Sequence, residues 1–260
     1  MKCLSKKCVL FVLVFVIGAS ALQAKETLPT VYDLYREFIA QNGGQKNLDS
    51  LNSVIIKGSF NQDGQKVNFR LYRKRPNKMR ITIELEKLKI STIYDGSQAW
   101  REVSSETDLI ALTELKGDEL ASIKKDSIFD SPFYTAFDKR KYISVVGIED
   151  VNGKEAVRLD FDPIGDFGYK SLWLSMDHYQ EVKMLRPYIE DGVVAKKDEA
   201  IHYQGFERIN GVYWANFMRH FVDGELTKEI YIEDVLPNAG VFDYYFEVDE
   251  ARKADAQSEQ

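Results

Sequence analysis

The stretch from Val67 to Val103, VNFRLYRKRPNKMRITIELEKLKISTIYDGSQAWREV, constrains the fold more than any other part of the chain. Val67, Phe69 and Leu71 alternate with polar or basic residues, Arg75-Pro76-Asn77 supplies a turn, and Met79, Ile81, Ile83 and Leu85 alternate again on the return. Pro76 fixes φ and has no N–H to donate, so it belongs at a strand end, with Asn77 completing the turn. Asp95-Gly96 is a second tight-turn signal and delivers Trp100 onto the next strand. The pattern is a series of antiparallel hairpins with one apolar face. That face needs a cover: a second sheet, helices of the same chain, or hydrocarbon from elsewhere.

The remaining periodicities fit around this series. Val31 to Gln41 places Val31, Leu34, Tyr35, Phe38 and Ile39 on one helical face, and Asn42-Gly43-Gly44 stops the helix. A strand follows from Ser53 to Phe60, where Gly58 marks a bulge or a bend. Between Leu109 and Tyr142 the period departs from two. Leu112, Leu115, Leu120 and Ile123 are spaced for short helices with Asp118 as a cap, and Ser131-Pro132 interrupts before Phe133, Tyr134 and Phe137. Residues 112–137 are too apolar for a solvated loop and read as a helical cover on the sheet. Strands then resume at Tyr142–Val151, Glu155–Phe161, Tyr169–Met176, Glu181–Ile189, Glu199–Ile209, Val212–Val222 and Glu225–Val235, with Asn152-Gly153 and Asn210-Gly211 as hairpin turns. The expected fold is mainly β with α: a curved antiparallel half-barrel of about 11 strands covered by short helices.

The N-terminus carries an address. Lys2, Lys6 and Lys7 precede the apolar run Val9–Ile17, and Ala19-Ser20-Ala21 or Leu22-Gln23-Ala24 offers a cleavage site. The run is too short to span a bilayer, so residues 1–24 read as a signal peptide, 25–248 as one domain, and 249–260 as a polar, disordered tail. Both cysteines, Cys3 and Cys8, fall within the signal. The expected mature protein is exported to the periplasm, with no disulfide, no thiolate metal site and no lipid anchor. With 35 basic residues against 41 acidic and a net charge of −6, the chain lacks the basic face that a nucleic-acid partner requires.

Candidate chemistry is sparse. His178, His202 and His220 have no metal-ligand spacing, and no Gly-x-Ser-x-Gly elbow, P-loop or dinucleotide fingerprint occurs. Asp160, Asp162 and Asp166 resemble the start of a calcium loop, but Ile164 and Ser171 stand where oxygen ligands are needed, which favours a connecting turn. Expected are no catalytic residues, no metal and no cofactor. With Trp100, Trp173, Trp214 and many Tyr and Phe, the sheet lines either an apolar cavity or a filled core.

Lys74-Arg75-Pro76-Asn77, together with Tyr94-Asp95-Gly96 and Trp100, resembles the basic-Arg-Pro turn and the Asp-Gly-x-x-x-Trp hairpin of the periplasmic carriers of the outer-membrane lipoprotein-sorting pathway, the LolA-like family. Gly147 to Leu159 and Tyr203 to Tyr213 are similar to later hairpins of that family, so the resemblance spans nearly the whole mature chain. It implies a half-open barrel whose concave face holds lipoprotein acyl chains or another envelope lipid under a helical lid. The residues it points to are Phe60, Phe69, Leu71, Met79, Ile81, Ile83, Trp100, Leu172 and Leu174 for the ligand, and Arg75 as a latch on the lid. Implied partners are the acyl chains and the inner- and outer-membrane lipoprotein-sorting machinery, met by a monomer. The alternative is an envelope stress-sensing or protein-interaction module on the same scaffold, with the cavity filled.

Overall fold

A computed structural model describes residues 28–62, 64–190 and 192–249. The expected signal peptide and all but the first residue of the polar tail lie outside the described residues. Among the described residues four α-helices are seen: α1 (Val31–Gln41), α2 (Gln45–Ser50), α3 (Gly117–Asp126) and α4 (Pro132–Ala136). Six strands precede α3: β1 (Ser53–Gln62), β2 (Gln65–Lys74), β3 (Lys78–Leu85), β4 (Leu88–Tyr94), β5 (Ala99–Ser104) and β6 (Leu109–Leu115). Seven follow α4: β7 (Ile143–Val151), β8 (Lys154–Phe161), β9 (Ser171–Ser175), β10 (Glu181–Glu190), β11 (Val193–Ile209), β12 (Val212–Val222) and β13 (Glu225–Pro237).

All 13 strands form one open antiparallel sheet in the order β6-β5-β4-β3-β2-β1-β13-β12-β11-β10-β9-β8-β7. The two halves of the chain meet where β1 pairs with β13, so the cover emitted between β6 and β7 can arch from one free edge to the other. Near this seam the register slips between Lys57 and Gly58. A Cβ on Gly58 would collide with the Tyr231 carbonyl oxygen and the Phe69 ring, so glycine is required by the close approach of β13 and an aromatic side chain.

Residues 109–115 correct the sequence reading. They form β6, an edge strand paired with β5, and not the first turn of a helix. As an edge strand β6 is exposed along much of its length, so period-two burial was never imposed on it. Its apolar spacing, Leu109, Leu112 and Leu115, therefore imitates a helix. Helix α3 starts only at Gly117, its N-cap is Lys116, and Asp118 instead accepts the Val194 N–H at 3.2 Å.

Helix α1 fills half of the concave face. Thr30 and Asp33 form its capping box. Leu34 and Phe38 are buried against Phe133, Val157, Leu159, Leu172 and Leu174, with the Phe38 and Phe133 rings edge to face at 5.4 Å. The chain leaves α1 through Gly43, whose φ of 119° and contact with the Gly211 carbonyl exclude a side chain. No helix among the described residues is long and apolar enough to cross a membrane.

Candidate ligand cavity and its cover

The other half of the concave face is hollow. One cross-strand row runs Val235, Ile56, Leu71, Ile81, Thr92, Arg101 across six strands. Because side chains alternate by two, this row shares one face of the sheet. Together with Met79, Trp214, Met218, Ile230 and Ile232 it lines a cavity of about 980 Å³. That lies at the upper end of the range in which small-molecule pockets fall. The roof is contributed by α3 through Glu119, Ser122 and Ile123, by residues 128–131, and by Tyr134 and Thr135 of α4.

The expected ligand residues divide into four groups. Leu71, Met79 and Ile81 line the cavity. Phe60, Phe69 and Ile83 continue the same face and pack on one another as a solid cluster with Ile230 and Ile232. Leu172 and Leu174 are fully buried in the half filled by α1 and α4. Trp100 is a correction. It pairs with Ile93, one residue out of step with the Thr92 and Arg101 row, and so lies on the opposite face, buried with Ile93, Leu112 and Val248. The Asp-Gly hairpin fixed that Trp100 is on a strand, but the side it faces depends on a single-residue register that the turn signal does not report. Asp160, Asp162 and Asp166 do not converge. Asp160 bonds Arg158 and Ser171, Asp162 accepts the Ile164 N–H, and Asp166 pairs with Lys125.

Phe129 and Phe133 anchor the later part of the cover in the apolar core, whereas α3 is held mainly by polar bonds around the rim. Within α3 only Ile123 is buried. Glu119 pairs with Arg101, Asp126 with Arg186 at 2.6 Å, and Lys125 with Asp166 at 2.7 Å. Arg73 donates to the Asp126 carbonyl at 2.8 Å and to the Ile128 carbonyl. The Asp126 carbonyl is an orphan of the last turn of α3 and the Ile128 carbonyl lies just past its C-cap Ser127, a pair that a guanidinium fork suits. Arg75 sits two residues further along β2's exit and makes a different set of contacts. It donates to the Leu48 and Asp49 carbonyls at 3.1 and 3.0 Å, pairs with Asp130, and lies 5.2 Å from the Phe129 ring. It therefore ties the end of α2 to the segment joining α3 and α4, while Arg73 holds the end of α3 itself.

Buried charge lies against the cavity as well. Glu181 accepts the Phe133 N–H of α4 at 2.6 Å. Burial pushes its carboxyl up to about 7, against the opposing pull of that N–H. Glu199 is also pushed up by burial, but its 2.6 Å bond to His220 and its 2.7 Å pair with Arg186 outweigh this and hold it down at about 2. Sequence reading missed Arg73, Glu181, Arg186, Glu199 and His220 as a group. Their one legible signal was parity, since Arg186 follows Met184 at the apolar step of β10 and Glu199 precedes Ile201 at that of β11.

No family model and no curated protein matches the chain. Solved structures do. A putative outer membrane lipoprotein-sorting protein domain from Vibrio parahaemolyticus aligns over 84% of this chain and 96% of its own, with TM-score 0.54 and 13% identity. A DUF1329 family protein from Desulfovibrio piger aligns over 85% and 98%, with TM-score 0.52 and 16% identity. At such identities the likeness is one of fold, and it extends nearly end to end in both relatives. The open antiparallel sheet with its helical cover is thus the lipoprotein-sorting, LolA-like fold.

Proposed function

We propose that the protein is a periplasmic carrier or binding protein that holds an acyl-chain amphiphile in the concave cavity beneath α3 and the 128–131 segment. The observation that carries this reading is the cavity itself: about 980 Å³ beneath a cover that buries only Ile123 of α3. Apolar side chains from β1, β2, β3, β12 and β13 form its floor. Such a surface gains about 25 cal/mol for each Å² that a hydrocarbon removes from water. Charged groups, Arg73, Glu119, Asp126 and Arg186, sit at the rim, where a polar head can stay hydrated or pair. The domain needs no catalytic group for this task. Periplasmic residence rests on the signal-like segment 1–24, and partnership with lipoprotein-sorting machinery on the shared fold.

The test is native mass spectrometry, with solvent extraction, of protein purified from the periplasm. A bound acyl species, lost in an Ile81→Glu variant that still folds, supports the reading. An empty protein that also fails to bind a fluorescent fatty-acyl probe refutes it.

A further inference from the structure

The convex side of the sheet carries a second polar constellation. The β7–β8 hairpin turns at Asn152-Gly153, both at positive φ, with the Gly153 N–H donated to Asp150 at 3.0 Å. Val151 and Ala156 at this end are buried with Trp173 and in contact with Leu185, so the hairpin tip curls over the convex face. The Asn152 side chain thereby reaches β11 and β12, its Oδ1 lying 3.3 Å from His202 Nδ1 and 3.5 Å from Arg219 Nη2. Beneath it the register sets Lys183 opposite His202 and His202 opposite Arg219. Three basic side chains therefore stand in one cross-strand row. Lys183 and Arg219 carry the charge of the row at neutral pH, and both disfavour protonation of the His202 between them.

Lys183 and Arg219 both have aromatic rings as side-chain partners. The Lys183 ammonium lies 4.3 Å over the Trp173 ring, and the Arg219 guanidinium faces Phe217 and Phe221 at 5.9 Å. Neither forms an ion pair among the described residues. Nearby carboxylates make their hydrogen bonds to other groups and act on the row through space: Glu149 accepts from Trp173 Nε1 at 2.8 Å, pairs with Arg158 at 3.2 Å and opposes the lowering of the Lys183 ammonium by burial, and Glu229, opposite Arg219, takes the Tyr231 hydroxyl at 3.3 Å. Burial, followed by the charges of Lys183 and Arg219, pushes His202 down to about 4. On a chain of net charge −6, two neighbouring cations that form no ion pair among the described residues are a local departure.

We propose that the Asn152 turn and the Lys183–His202–Arg219 row together bind an oxyanion of the phosphate class. The row supplies an ammonium point charge, guanidinium N–H donors and an imidazole, which suit tetrahedral oxygens, and the Asn152 amide, whose Oδ1 faces His202 and Arg219, offers its NH2 group to an anion once the amide turns over. A bound anion can pair with Lys183 and Arg219 together. It also favours proton uptake by His202, so phosphate binding and His202 protonation strengthen one another reciprocally. The site is independent of the cavity. Met184, Ile201 and Met218, each one residue away from a member of the row, point to the concave side and line the cavity. The phosphate can be free or belong to a lipid headgroup.

Two titrations of the full mature chain test this: inorganic phosphate against chloride at matched ionic strength, and phosphatidylglycerol against phosphatidylcholine vesicles. Lys183→Gln and Arg219→Gln serve as variants, and the His202 ring is followed by NMR. Saturable binding of inorganic phosphate, with the His202 midpoint rising from about 4, supports the proposal and identifies free phosphate. Binding only to phosphatidylglycerol vesicles supports it with a lipid headgroup as the source. Each variant is expected to weaken binding by about tenfold or more, while its phosphate-free melting temperature stays level. No binding in either titration, unchanged affinity in both variants, or a sharply lowered phosphate-free melting temperature overturns the proposal.

Discussion

Glu181→Gln isolates a pH-dependent contribution to stability that the cavity wall builds in. The Glu181 carboxyl is buried beside α4 and carries a folded-state pKa of about 7 against 4.5 for an unperturbed glutamate. In this window the unfolded chain releases its proton while the folded chain keeps it, so stability falls as pH rises. The favourable contribution is complete below 4.5 and is lost as pH climbs through about 7. At 1.36 kcal/mol per pH unit, the change is about 3 kcal/mol. Glutamine has the same shape, and its amide oxygen can still accept the Phe133 N–H now held at 2.6 Å. The variant should therefore lack this pH slope while keeping its link to α4. Urea unfolding of delipidated wild type and variant at pH 4.5 and pH 8 measures the difference. Glu181→Gln should gain on wild type by about 3 kcal/mol across that interval. A difference that stays constant with pH would show that Glu181 ionises normally, through water reaching the carboxyl, and would remove the basis for a neutral Glu181 at the root of α4.

The opposite sign holds at Glu199. Its folded pKa of about 2 means stability is present above 4.5 and is lost as pH falls through about 2, so Glu199→Gln should destabilise at pH 7 by about 3 kcal/mol and much less near pH 2, as acid titrations of both proteins can measure. Arg73→Met keeps the aliphatic stem but removes the donors that meet the Asp126 and Ile128 carbonyls. It should raise amide exchange of α3 by about ten- to a hundredfold, whereas Arg75→Met should act on α2, where Arg75 bonds Leu48 and Asp49; equal exchange of α3 in the two variants would refute this division. Trp100→Ala should cost about 3–5 kcal/mol of stability and leave probe affinity unchanged, because the ring is buried on the convex side with Ile93 and Val248; a large loss of affinity in folded protein would place it in the ligand path.

Alternation and turn chemistry depend on nearest neighbours along the chain, and for that reason much of this molecule was legible in its sequence. The hairpins from Val67 to Val103, the Asn-Gly turns at 152 and 210, the helix ended by Asn42-Gly43-Gly44 and the bulge at Gly58 all rest on local preferences that the fold obeys. Leu71, Met79 and Ile81 were likewise readable as one apolar face, and that face is the cavity floor. Edge strand β6 was not legible, because a strand paired on one side and exposed elsewhere is under no pressure to alternate. The face taken by Trp100 was set by its pairing with Ile93, a contact across strands that no turn signal encodes. Tertiary structure alone also decided that half of the concave face is filled by α1 and half left hollow, since Leu172 and Ile81 have the same local pattern and differ only in what packs above them. The charged groups were the least legible of all. Arg73, Arg186, Glu199 and His220 come from four strands, and only their convergence beneath α3 makes them a network. Electrostatic energy depends on distance and burial in three dimensions, and neither quantity is carried by position in the chain.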